Sequence, residues 1–217
     1  MIRMAKTDIA KKIASYLLEI QAIKLSPSKP FTWASGWKSP IYCDNRLSLS
    51  YPEIRKFITQ ELTNIIREHK SELDGISGVA TAGISQGALV ADQLNLPYTY
   101  VRSSAKKHGM TNKIEGKVQE GQKIVLIEDL ISTGGSAIDA AIALKEVACE
   151  PIAIASIFTY GFSVAEDNLQ KAGIDLLTLC NYDTLIQVAR EEHKITEDQI
   201  AHLSSWKELP SEWSPQA

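Results

Sequence analysis

Two adjacent carboxylates, Glu128 and Asp129, follow the apolar run Val125-Leu126-Ile127, and a hydroxyl- and glycine-rich turn comes next, Leu130-Ile131-Ser132-Thr133-Gly134-Gly135-Ser136. The apolar run reads as a buried parallel strand with the acids capping its C-terminal end, and a helix starts beyond the turn. Backbone N–H groups at such a helix start, with Gly134 and Gly135 letting a ligand come close, form an anion cradle. Thr133 and Ser136 add hydroxyls to it. Acids beside a phosphate nest repel the phosphate unless they address another part of the ligand. Sugar hydroxyls are their natural object, with or without a bound cation. The pattern therefore asks for a ligand that is both a phosphate ester and a polyol: a ribose phosphate. A junction that used glycines only to turn the chain would have no use for the paired acids.

No Gly-Lys-Ser/Thr follows, as in a Walker loop, and there is no dinucleotide G-x-G-x-x-G. The block resembles the phosphoribosyl-pyrophosphate (PRPP) motif of type I phosphoribosyltransferases: four apolar residues, two acids and a Thr-Gly-Gly segment. The resemblance implies an α/β chain of the type I phosphoribosyltransferase fold, with a central parallel sheet flanked by helices and a small N-terminal hood. It implies that Glu128 and Asp129 hold the ribose hydroxyls, that Thr133, Gly134, Gly135 and Ser136 hold the 5′-phosphate, and that Leu130, Ile131 and Ser132 complete the PRPP-binding segment.

A second site lies in Val101-Arg102-Ser103-Ser104-Ala105-Lys106-Lys107-His108-Gly109. Its cations Arg102, Lys106, Lys107 and His108 fall in a long polar linker between two strands, and such linkers are commonly binding loops or lids. A solvated basic loop would look the same in isolation. Placed near a polyanion site, it suits the neutralisation of a departing pyrophosphate. The segment is similar to the catalytic loop of orotate phosphoribosyltransferases, Arg-Lys-x-x-Lys-x-His-Gly. Arg102, Lys106, His108 and Gly109 match it, Ser103 replaces the second basic residue, and Lys107 offers a neighbouring charge. The resemblance implies a mobile loop over about 103–114, with Arg102, Lys106, His108 and Asp129 as the catalytic set.

A third stretch, Lys24 to Tyr42, resembles that family's N-terminal segment through Lys24, Phe31-Thr32, Ser35-Gly36 and Lys38-Ser39-Pro40. There it implies a hood over the pyrimidine at about 20–50, with Lys24 near the substrate and Tyr42 beside the ring. Read alone, Phe31, Trp33, Trp37 and Tyr42 equally suit a small satellite core. Arg46, in Asp44-Asn45-Arg46, could take the orotate carboxylate bidentately, or could pair structurally with Asp44 or Glu53. Ser132 stands where the family places a hydroxyl on orotate. Two departures weaken the orotate contacts: Ala82 precedes Gly83-Ile84 where some members carry Lys, and Thr159-Tyr160-Gly161 stands where some carry Asp-Arg.

The elements that must position these residues follow from periodicity. Ile9, Ile13, Tyr16, Leu17 and Ile20 mark a helix over about 7–22, and a second follows Pro52. Residues 23–50 read as short strands and turns around Phe31-Thr32 and Pro40-Ile41-Tyr42. From Gly75 strands and helices alternate: strand 76–80, helix 83–94, strand 98–101, strand 123–127, helix 136–147, strand 152–159, helix 164–171, strand 176–179. That alternation predicts a parallel sheet with helices on both faces. Two helices close the chain, the second opened by a capping box at Thr196-Glu197-Asp198-Gln199.

At 217 residues and 44% hydrophobic content, the chain suits one phosphoribosyltransferase domain over 1–217. A net charge of −3 gives no footprint for nucleic acid. Cys43, Cys149 and Cys180 lack metal-ligand spacing and suit a reducing compartment. With no signal core and no membrane-length apolar run, a soluble cytoplasmic protein is expected. His69, His193 and His202 have no partner spacing. The resemblance further implies transfer of ribose 5-phosphate from PRPP to orotate, Mg²⁺ carried by PRPP near Asp129, and a homodimer whose loops serve the neighbouring subunit. The rivals are a purine or xanthine phosphoribosyltransferase, or a regulatory protein that only binds PRPP; the second would bring a nucleic-acid-binding module.

Overall fold

Short runs of Val, Ile and Leu, buried on both sides, build a seven-stranded sheet. The computed structural model describes residues 1–32, 36, 38–103, 113–210 and 212–213. In chain order the elements are β1 (Ile2–Met4), α1 (Thr7–Glu19), β2 (Ile23–Leu25), β3 (Phe31–Thr32), β4 (Lys38–Ser39), β5 (Ile41–Cys43), a 3-10 helix (Asn45–Ser50), α2 (Pro52–His69), β6 (Gly75–Val79), α3 (Gly83–Leu94), β7 (Tyr98–Val101), β8 (Ile114–Glu115), β9 (Lys123–Ile131), α4 (Gly135–Lys145), β10 (Glu150–Thr159), α5 (Ser163–Ala172), β11 (Asp175–Asn181), α6 (Tyr182–Glu191) and α7 (Glu197–Glu208). The large sheet runs β1-β11-β10-β9-β6-β7-β8, and β2–β5 and β3–β4 form two small antiparallel sheets.

The sheet is parallel except at one edge, where β8 returns antiparallel to β7. The expected central parallel sheet is present, and this antiparallel edge strand adds to it: two residues, Ile114-Glu115, carry no readable period. The Ile2–Met4 strand is also an addition, held beside β11 by pairs such as Ile2 with Leu176. The first helix stops at Glu19 rather than near 22, and Gln21 takes a left-handed φ of 55°. β9 continues past the acid pair to Ile131, because pairing with β10 (Glu128 opposite Ser156, Leu130 opposite Phe158) keeps it extended. The acids thus sit within the last turns of the strand rather than after it.

Apolar residues fill both faces of the sheet. One cluster joins α1, α2, α6 and α7 to the sheet through Ile13, Leu17, Ile58, Leu62, Leu185 and Trp206. The other packs α4 and α5 through Ala137, Ala141, Leu144 and Leu169. The α7 capping box is present, with both reciprocal bonds of Thr196 and Gln199. Among the described residues no helix is long and apolar enough to cross a membrane.

The order of strands places a ligand crevice. From β6 the chain moves through α3 to β7 on one side; from β9 it moves through α4 to β10 and β11 on the other. The C-terminal ends of β6 and β9 therefore face a topological switch point, where open α/β sheets bind ligands. Gly83 fixes how closely α3 approaches: a Cβ there would lie 2.1 Å from the Ile127 carbonyl oxygen.

Candidate active site

Two helix starts converge at this crevice. The turn from β6 to α3 passes through a cis peptide, Ala80–Thr81, and α3 opens at Gly83 with no side-chain cap. α4 opens at Gly134, also with no side-chain cap, so its first N–H groups are available to an anion. Gly134 has a φ of +80°, a conformation costly for any residue with a Cβ. Asn168 steadies the turn by donating its Nδ2 to the Thr133 carbonyl at 3.0 Å. Gly135 and Ser136 are exposed. Ile131 contributes shape: its side chain is buried, and its carbonyl accepts from Tyr160 N at 3.1 Å and Thr159 Oγ1 at 3.2 Å. Leu130 packs partly buried against the core, and Ser132 begins the turn directly after β9.

Glu128 is 7% exposed. Burial pushes its carboxyl up to about 9, and the neighbouring Asp129 charge adds to the rise. Its Oε1 accepts from the Asp129 backbone N–H at 3.0 Å. Asp129 is likewise raised by burial, opposed by its hydrogen bond with Glu128 and by the Arg46 charge. Burial thus favours a proton on the pair, because two carboxylates share one dry corner. Sugar hydroxyls and cations arriving there would favour the ionised form.

Arg102 lies across the crevice. With Ala80, Ser103, Lys113, Ser136 and Asp139 it lines a cavity of about 100 Å³. Its guanidinium rests 3.5 Å from Glu115 Oε1, and its N–H donates to the Lys113 carbonyl at 2.8 Å. The β7–β8 pairing thus ties together both ends of the expected loop. Lys106, Lys107 and His108 lie outside the described residues, as do Trp33 and Trp37.

The hood residues come together on the other side. Lys24 and Tyr42 are directly opposed across β2–β5, and Tyr42 packs on Phe31 with ring centroids 5.6 Å apart. Tyr42 is 41% exposed. Arg46 is exposed and its Nε donates to Asp44 Oδ1 at 2.6 Å, the first of the two structural pairings the sequence offered. Glu53 is not its partner.

Sequence reasoning missed Asn45. It is buried, and its Nδ2 donates to the Asp129 carbonyl at 2.8 Å. A polar residue between Asp44 and Arg46 gave the only signal. Tyr160 stands where an orotate-binding Arg was considered, and it is a core residue: 1% exposed, stacked on Phe162 at 5.3 Å and edge-on to Trp206 at 5.5 Å. Burial raises its hydroxyl well above the usual range, with Cys43 and Tyr182 adding to the shift. Cys43 is raised by burial and by Asp129, which disfavours its thiolate form.

Comparison with known proteins agrees with this geometry. A family model described as "Phosphoribosyl transferase domain" matches residues 50–176. A protein of Cytophaga hutchinsonii named orotate phosphoribosyltransferase is 54% identical over 206 residues, which is 95% of this chain and 99% of that protein. Among solved structures, UMP synthase of Leishmania donovani superposes with a TM-score of 0.78 at 27% identity, over 91% of this chain and 42% of that one. Orotate phosphoribosyltransferase of Aeropyrum pernix superposes at 0.74, with 23% identity, 85% of this chain and 99% of that one covered, a likeness of fold. A family model over more than half the chain, and a relative matched almost end to end, lead to one conclusion: this chain belongs to the orotate phosphoribosyltransferases of the phosphoribosyltransferase family.

Proposed function

We propose that the chain transfers the ribose 5-phosphate group of PRPP to orotate, giving orotidine 5′-monophosphate and pyrophosphate in pyrimidine synthesis. The observation that carries this reading is the single junction β9–α4, which sets an acid pair, buried Glu128 and half-buried Asp129, beside an uncapped helix start. Thr133, Gly134, Gly135 and Ser136 hold the 5′-phosphate. Glu128 and Asp129 accept the ribose 2′- and 3′-hydroxyls. As the bond from C1 to the pyrophosphate oxygen breaks, positive charge grows on the ribose and the two carboxylates favour it. Negative charge grows on the pyrophosphate, and Arg102, Lys106, Lys107 and His108 receive it. Orotate N1 then forms the new bond to C1.

On the hood, about 20–50, Tyr42 and Lys24 flank the pyrimidine ring, Ser132 donates to it, and Arg46 exchanges Asp44 for the orotate carboxylate. Hard oxygen donors on Glu128 and Asp129 beside a phosphate nest fit a Mg²⁺ ion that enters on PRPP. Such an ion supplies neutralisation of the leaving pyrophosphate. The enzyme works in the cytoplasm as a homodimer, and the loop of about 103–114 closes over its neighbour's acid pair. Both regions belong to one domain of 1–217. Pyrophosphate release with PRPP plus orotate, measured against PRPP plus adenine, guanine or xanthine, tests the assignment. Release with orotate supports it; release only with a purine, or with none, overturns it.

A further inference from the structure

Asn45 joins the two halves of the site with one side chain. It is 1% exposed. Its Nδ2 donates to the Asp129 carbonyl at 2.8 Å across 84 residues of sequence. Its Oδ1 accepts from Cys43 Sγ at 3.3 Å, and its own carbonyl accepts from the Ser48 hydroxyl at 2.7 Å. Just before it, Asp44 N–H donates to the Ala22 carbonyl at 2.7 Å. The segment Asp44-Asn45-Arg46 is therefore pinned at both sides, and one of the pins is the strand that carries the acid pair. Arg46 follows immediately, paired to Asp44 at 2.6 Å. The charges of Arg46 and Asp44 both reach the Asp129 carboxyl, one lowering and the other raising it, so this corner is electrostatically one unit.

We propose that Asn45 is a positioning residue: by clamping its backbone to the Asp129 carbonyl, it sets where the Arg46 guanidinium stands relative to the ribose carboxylates. With the orotate carboxylate held by Arg46, the distance from orotate N1 to the sugar carbon it must reach is then set by this one amide. Effective alignment of two bound reactants is worth large rate factors, and small displacements forfeit them. The inference rests on the reading of Arg46 as the partner of the orotate carboxylate. A purely structural clip would behave differently, since it would alter stability and leave the kinetic constants of the folded enzyme unchanged.

The experiment is a double-mutant cycle. Asn45→Leu keeps the shape and removes the donor; Arg46→Ala removes the guanidinium; the double variant combines them. Thermal midpoint, kcat, and KM for orotate and for PRPP are measured on each. Asn45→Leu should raise KM for orotate about tenfold, with KM for PRPP within about twofold of wild type. In the Arg46→Ala background the same change should add less than about twofold, because the group it aims is gone. If Asn45→Leu does not fold, Asn45→Ser gives the same reading, since it leaves room for a water on the Asp129 carbonyl. Unchanged KM in a destabilised variant, or two rises that multiply fully in the double variant, would overturn the positioning role while leaving Arg46 in place. If Arg46→Ala alone leaves KM for orotate unchanged, the reading of Arg46 fails and this inference fails with it.

Discussion

Glu128→Gln should make the protein more stable at neutral pH while disabling it. The side chain is 7% exposed and its carboxyl is raised from an ordinary 4.5 to about 9, by burial first and by Asp129 second. Below pH 4.5 both folded and unfolded chains carry the proton, and the group costs nothing. As pH rises above 4.5 the unfolded chain loses its proton and the folded chain keeps it. Folding then pays about 1.4 kcal/mol per pH unit until the folded value is reached. At pH 7 the gap is 2.5 units from the ordinary value, which makes about 3 kcal/mol; at pH 5 the cost is under about 1 kcal/mol. Glutamine keeps the shape and can still accept the Asp129 N–H seen at 3.0 Å. Urea denaturation of both proteins at pH 5 and pH 7, without ligand, reads the difference directly. Comparing variant with wild type cancels the groups that shift the other way, such as Asp175 and Glu191, which Lys70 and Lys11 hold low. A variant no more stable than wild type at pH 7, or one equally stabilised at both pH values, would refute the argument.

Further outcomes follow from the same site. Asp129→Asn should leave the circular dichroism spectrum intact and cut kcat by about 10²–10³, the usual cost of losing one preorganised charge contact; an unchanged kcat in a folded protein removes Asp129 from the chemistry. Gly83→Ala should destabilise by roughly 3 kcal/mol or more in urea melts, because overpacking against backbone has no soft neighbour to move; here the new Cβ meets the Ile127 carbonyl at 2.1 Å. A wild-type midpoint would show that α3 can withdraw from β9 freely. For the proposed shared site, Lys106→Ala and Asp129→Asn proteins, each nearly inactive, should recover about a quarter of wild-type activity when allowed to exchange subunits. No recovery after verified exchange would mean that each loop serves its own subunit.

The alternation of strands and helices and the glycine turn after β9 are legible in sequence because both are local. Val125–Ile127 is an unbroken apolar run, Gly134-Gly135 marks a turn by backbone freedom, and Thr196 with Gln199 announces a helix start within four residues. What escaped was set by long-range contact. The strand Ile114–Glu115 exists because it pairs with Val101 and Tyr100, and two residues have no period to read. β9 extends through Glu128 and Asp129 because β10 lies beside it; isolated acids predict a strand end. Asn45 looked like any polar turn residue until Asp129, far along the chain, gave it a partner. For Arg46 pairings with Asp44 and with Glu53 both fitted the sequence, and the geometry has Asp44. Tyr160 could be assigned only once Trp206 and Phe162 were seen packed around it.

The ratio of kcat/KM for orotate to that for uracil bears most directly on the central claim. The two bases differ by one carboxylate, and the proposed function assigns that carboxylate to Arg46, whose guanidinium pairs with Asp44 at 2.6 Å. A site built around a charged partner discriminates against the analogue lacking it by about 10⁴ or more. The account predicts such a ratio for the wild-type enzyme with PRPP and Mg²⁺, collapsing in the Arg46→Ala variant. Comparable use of uracil and orotate by the wild type would contradict it.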